Sequence, residues 1–113
     1  MGAFARGALR RRILRDARGL APSIELPWMP PWGDELDADV VDLLADVRVL
    51  QADVADELAW TDDADGAHRR VRLVDAAARL ADRCDARAYR ATSHALREIA
   101  AATRAWESLA PSR

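Results

Sequence analysis

Hydrophobic side chains recur at helical spacing along most of this 113-residue chain, and in two stretches the recurrence is regular enough to predict whole elements. Leu36, Val40, Leu43, Val47, Leu50 and Val54 follow at intervals of 4, 3, 4, 3 and 4 residues. Such a heptad seam keeps one side of a helix apolar, and Leu58 extends it after a one-residue phase slip. Asp34 fits the N-cap, with Glu35 and Asp37 near the positive end of the helix dipole. A helix is therefore expected over residues 35–60, ending where the sequence TDDADG at 61–66 reads as a turn.

The second stretch runs from Ala67 to Ala110, contains neither Gly nor Pro, and is dominated by Ala, Leu and Arg, all good helix formers. Its apolar positions, from Val74, Ala77, Ala81, Cys84 and Ala88 through Ala91, Ala95, Ile99, Ala102, Trp106 and Leu109, stay on one side of a single wheel. That continuity predicts one helix over 67–110, about 65 Å long at the helical rise, with a break near Ser93 as the alternative. Residues 1–18 predict a short basic helix that Gly19 and Pro22 end; its apolar side holds only Phe4, Leu9, Ile13 and Leu14. Residues 19–33 carry four of the five prolines, interleaved with Ile24, Leu26, Trp28, Met29 and Trp32, and predict an extended strap.

The fold expected is all-α, a single domain over 1–113. It consists of an antiparallel helical hairpin of unequal arms, 35–60 and 67–110, plus the basic helix and the strap, gathered into a small helical bundle. The shorter arm covers only about residues 67–90 of the longer one. Leu96, Ile99, Trp106 and Leu109 then need other cover, from the strap, the first helix or a partner subunit. Trp28, Trp32, Leu96 and Trp106 are accordingly the candidate partner-binding residues.

Charge adds what the hydrophobic pattern leaves out. The net charge of −2 is an average over opposed blocks. Residues 1–18 have six Arg against Asp16, residues 34–66 have 12 acids against Arg48, and residues 67–113 have ten Arg against five acids. On the long helix Arg69, Arg72, Arg79, Arg83, Arg87, Arg90, His94, Arg97 and Arg104 fall in a sector about 100° wide, away from the apolar side. The acidic flank of the 35–60 helix has nearly the same offset from its seam, so Arg69 to Arg83 are expected to be balanced within the chain. Beyond Arg87 that flank runs out. Arg87, Arg90, His94, Arg97 and Arg104, with Arg10, Arg11, Arg12 and Arg15 of the first helix, are the candidate contacts for a nucleic-acid backbone, because guanidinium groups suit phosphate oxygens.

Composition excludes several classes. No run of apolar residues is long enough to span a membrane, and the single Cys cannot form an internal disulfide. All basic residues are Arg, Asn is absent and Ala is abundant, as in a GC-rich coding sequence of bacterial or phage origin; with no secretory signal pattern, a cytoplasmic location is expected. Thr61, Asp63, Asp65 and Gly66 imitate the start of a calcium loop, but Arg72 stands where its bidentate acid belongs. His68 and His94 have no Glu-x-x-His spacing and no second Cys, so no metal site or cofactor is expected. Cys84 falls on the apolar side, as an inert buried thiol.

Arg87 and His94 are two turns apart on the predicted long helix. Their spacing resembles the Arg-x(4–6)-His pair of HEPN ribonucleases, where the resemblance implies that the Arg holds the scissile phosphate and the His assists proton transfer. The resemblance covers two residues, and the position after the Arg, usually polar in that family, is Ala88.

Two functions are expected from this pattern. In the first the chain is a non-catalytic helical subunit of a nucleoprotein assembly, contacting single-stranded RNA or DNA without reading sequence. Helical small subunits of RNA-guided CRISPR effector complexes have a role of this kind. In the second it is a structural or adaptor protein of a phage particle or other homo-oligomer, the acidic arm of one copy meeting the basic arm of the next. Its partners are then other protein subunits or copies of itself.

Overall fold

The computed structural model describes residues 2–20 and 38–109. The strap from Ala21 on, with Trp28 and Trp32, and the expected cap Asp34 lie outside the described residues. Among the described residues four α-helices, α1 (Gly2–Arg18), α2 (Ala38–Ala55), α3 (Ala64–Ala86) and α4 (Arg90–Ser108), and one 3-10 helix (Glu57–Trp60) make up an all-α bundle. Among the described residues there is no strand, and no helix is long and apolar enough to cross a membrane.

The heptad seam of α2 is the most closely predicted feature. Val40, Leu43, Val47, Leu50 and Val54 are each no more than 1 % exposed. Leu58 does not continue the seam. The helix stops at Ala55, Asp56 is extended, and its carboxylate caps the following 3-10 helix by accepting from the Leu58 amide. Tighter winding turns Leu58 outward, leaving it 51 % exposed, and turns Trp60 inward. The Trp60 indole then donates to the Val54 carbonyl at 2.8 Å, satisfying an acceptor freed at the end of α2.

The TDDADG stretch is a turn and a cap together. Asp63 accepts from the Gly66 amide and from the Thr61 hydroxyl, both at 2.8 Å, and so starts α3 at Ala64, earlier than the expected 67. The Gly66 amide first, then the Thr61 hydroxyl, holds the Asp63 carboxyl below the usual carboxylate range. Gly66 sits so close to Thr61 that a β-carbon would overlap its carbonyl and its hydroxyl. Here glycine is required by close approach within a helix's first turn, a role beyond marking the turn.

The single long helix over 67–110 is corrected to two. The chain reverses at residues 87–89, and α4 packs antiparallel on α3, with Arg97 pairing to Asp82 and Arg70 to Glu107. A continuous helix of that length, about 65 Å, would exceed the longest dimension of the molecule, 54 Å. The reversal is a Schellman motif: the Ala88 amide donates to the Asp85 carbonyl and the Tyr89 amide to the Cys84 carbonyl. Ala88 takes the left-handed position, at φ 62°, where glycine is usual.

Alanine in that region costs about 1–2 kcal/mol. Folding back buries Leu96 and Ile99 completely and Trp106 almost so, each worth about 1.5–3 kcal/mol. Burial wins, and it supplies from within the chain the cover that the uneven hairpin lacked.

The basic helix α1 completes the bundle by lying antiparallel to α4. Arg6 meets the end of α4 at Trp106 and Leu109, while Arg12 pairs with Glu98 nearer its start. Ile13, Ala17 and Leu20 are buried, and the Gln51 amide donates to the Ala17 carbonyl at 2.6 Å, tying α2 to the end of α1.

Candidate functional site

Two of the candidate partner-binding residues belong to the interior. Leu96 is fully buried and Trp106 is 5 % exposed, because α1 and α3 cover the face of α4 that was expected to await a partner. Trp106 is the centre of a polar and aromatic cluster. The Arg6 guanidinium lies 3.9 Å from its ring centroid and that of Arg70 lies 4.6 Å away, while Trp60 meets it edge to face at 5.3 Å. Arg6 donates to the Trp106 carbonyl at 3.2 Å, the Leu109 carbonyl at 2.7 Å and the Asp62 carboxylate at 2.8 Å. Arg70 donates to the carbonyls of Ala59 and Thr61 and pairs with Glu107. These two arginines satisfy the exposed acceptors of a helix end and of the turn before α3.

Neither Arg6 nor Arg70 stood out in the sequence. Each looked like one more basic residue, and only its distance from Trp106 distinguishes it.

The folded corner also redistributes the Arg sector. Arg97, expected to be free, pairs with Asp82 at 3.0 Å and Asp85 at 2.8 Å and bonds the Ser93 hydroxyl. The Ser93 hydroxyl first, then Arg97, holds the Asp85 carboxyl below its usual range. Arg87 lies 3.6 Å from Asp39 of α2. Arg10 pairs with Glu57 at 2.7 Å, which keeps the Glu57 carboxyl low, and Arg12 pairs with Glu98. Of the proximal half expected to be balanced, Arg69 meets Asp56 and Asp65 and Arg83 meets Asp46 at 2.6 Å, whereas Arg72 and Arg79 are exposed and make no ion pair with a described residue. Arg87, Arg97, Arg10 and Arg12 are therefore corrected from uncompensated to internally paired: α4 runs back beside the acids of α3, and α1 meets Glu57 and Glu98.

What remains is a smaller set, part of it gathered at one end. Arg11, Arg15, Arg72, Arg79, Arg90 and Arg104 are exposed and make no ion pair with a described residue; Arg72 and Arg79 lie along α3. Arg18, which belongs to the same outward row as Arg11 and Arg15 by its spacing, is a further exposed cation of this kind. The antiparallel register, set by Arg6 at the end of α4 and Arg12 at Glu98, brings the last turn of α1 beside the first turns of α4. Arg15 and Arg18 thus share one end of the bundle with Arg90 and with His94, which is 77 % exposed and 3.9 Å from Glu98. Arg104 lies apart, on the rim of a groove of about 420 Å³ between α3 and α4 whose floor includes Val71, Val74 and Thr103.

Arg87 closes α3 whereas His94 stands in the second turn of α4. The reversal between them means that their spacing does not put them on one helical face. Cys84 is fully buried, and that burial pushes its thiol up. Among the described residues no three His, Cys, Asp or Glu side chains converge as metal ligands would.

Comparison with protein-family models, with curated proteins and with solved structures returns no match for this chain.

Proposed function

We propose that the chain is a non-catalytic helical subunit of a nucleoprotein assembly, and that it contacts the backbone of single-stranded nucleic acid through Arg11, Arg15, Arg18, Arg90 and His94. One observation carries this reading. Most cations beside neighbouring helices are paired with carboxylates, whereas Arg15, Arg18 and Arg90 gather at the joined end of α1 and α4, exposed and without an ion pair to a described residue; Arg72 and Arg79, likewise exposed and unpaired, are spaced along α3 and are not gathered in this way. Arg15 and Arg18 favour the last turn of α1, but like charges gathered with Arg90 raise the self-repulsion of the bundle. Their chemistry, fixed charge on long arms, fits phosphate oxygens without reading bases. The other expectation, acidic arm to basic arm between copies, has less to stand on, since Asp39, Asp46 and Asp56 already meet Arg87, Arg83 and Arg69 within the chain.

The test is fluorescence anisotropy with labelled single-stranded RNA and DNA over a salt series. Four phosphate contacts predict an affinity loss of about 50-fold between 50 and 200 mM salt. The variant Arg11→Glu/Arg15→Glu/Arg90→Glu should abolish binding, while Arg72→Glu/Arg79→Glu on α3 should leave most of it. Salt-independent affinity, or full binding by the triple variant, would sink the proposal.

A further inference from the structure

The reversal between α3 and α4 is built from residues that prefer to be helical. It reads Asp85-Ala86-Arg87-Ala88-Tyr89-Arg90-Ala91, with no Gly or Pro. Ala88 occupies the left-handed position of the Schellman motif at φ 62°, where alanine is disfavoured against glycine by a factor of about ten. In a helix interior the preference inverts, alanine being the best residue and glycine among the worst. Tyr89 gives α4 no side-chain cap, so the first amides of α4 gain nothing there that a preceding turn of helix would not supply.

From these observations we infer that α3 and α4 straighten through residues 87–89 into one helix and that α4 is exchanged with a second copy of this chain, forming a swapped dimer. Two such helices, each about 67 Å long, run antiparallel and cross at Ala88. Every contact of the folded corner is then remade between chains: Arg97 with Asp82 and Asp85, Arg70 with Glu107, and α4 with α1. What changes is the hinge, where two left-handed alanines are replaced by helical ones.

The seam tolerates the change. Ala88 and Ala91 are exposed and Ala95 is half-buried in the folded corner, so straightening the hinge takes no buried side chain out of the core at these positions. Short strained hinges favour exchange in general, because the closed and swapped forms share all contacts except the hinge. The inference is independent of any binding to nucleic acid.

The experiment is light scattering on the full chain refolded at low and at high concentration. The wild type is expected to give dimer in the concentrated sample, returning slowly to monomer on dilution. Ala88→Gly, which favours the left-handed turn and weakens the long helix in both copies, should raise the dimer dissociation constant about 10³-fold. Ala88→Ile, with a β-branched side chain intolerant of positive φ, should be dimeric throughout. Swapping is separated from ordinary association by co-refolding Asp82→Cys with Arg97→Cys and adding a bismaleimide about as long as an arginine side chain, which should give an interchain cross-link, since the Arg97 and Asp82 side chains meet within one chain in the monomer. If wild type and a folded Ala88→Ile both stay monomeric, the inference fails. If Ala88→Ile does not fold, equal dimer content in wild type and Ala88→Gly overturns it, as does absence of the interchain cross-link in a dimeric sample.

Discussion

The two ends of the bundle use the same side chain in opposite ways. At the end where α4 finishes, Arg6 and Arg70 are buried against Trp106, and their donors go to carbonyls and carboxylates of three other segments. At the end where α4 begins, Arg15, Arg18 and Arg90 reach into solvent beside a strained turn. The first arrangement spends charge on closing helix ends and is part of the fold. The second leaves its charge without carboxylate partners and its turn strained. A guanidinium's role is therefore set by the acceptors around it, and counting arginines along a stripe does not distinguish the cases.

This contrast is open to direct challenge. Trp106→Ala should be the most damaging change, at about 3–5 kcal/mol, because both cations lose the ring they rest on; denaturant unfolding measures it. Arg70→Ala should follow at about 2–3 kcal/mol, since it strands two carbonyls, while Glu107, half exposed, rehydrates. Arg90→Ala in the same assay should stay within about 0.5 kcal/mol. Equal losses for Arg70 and Arg90 would remove the distinction between the ends. Ala88→Gly should stabilise the monomer by about 0.5–1 kcal/mol, the relief of left-handed alanine less the extra entropy of glycine in the unfolded chain. No gain in melting temperature would mean that the turn is not strained.

The smallest effect is in pH. Glu57, Asp63 and Asp85 have carboxyls held low by Arg10, by the Gly66 amide and by the Ser93 hydroxyl respectively. Groups with lowered folded-state values stabilise fully above their unfolded values, about 4, and that contribution is lost as pH falls through the folded values. The melting temperature should thus be flat from pH 7 to 5 and fall below about 4. Asp85→Asn should make the fall shallower. A decline already visible near neutral pH would point to other groups.

Much of the fold was legible because it depends on local periodicity. The seam of α2, the capped turn at Asp63, the basic first helix and the inert Cys84 all follow from spacing and side-chain chemistry within a few residues. A break was expected only as an alternative and near Ser93; its place at Ala88 was not legible, because its usual signal is glycine and alanine stands there instead. One misplaced break carried the other errors with it. On one continuous helix Leu96 and Trp106 need a partner, Arg87 and His94 share a face, and Arg97 lacks an acid.

By itself, then, the sequence determined that this protein is helical, where the core seam of α2 runs, and that its charge is divided into opposed blocks. Only the tertiary structure decided which cations those blocks neutralise. Helical phase repeats every few residues and can be read from neighbours. Ion pairing depends on which distant segment the chain folds against, and here that was decided by the burial of Leu96, Ile99 and Trp106 outweighing one unfavourable backbone angle.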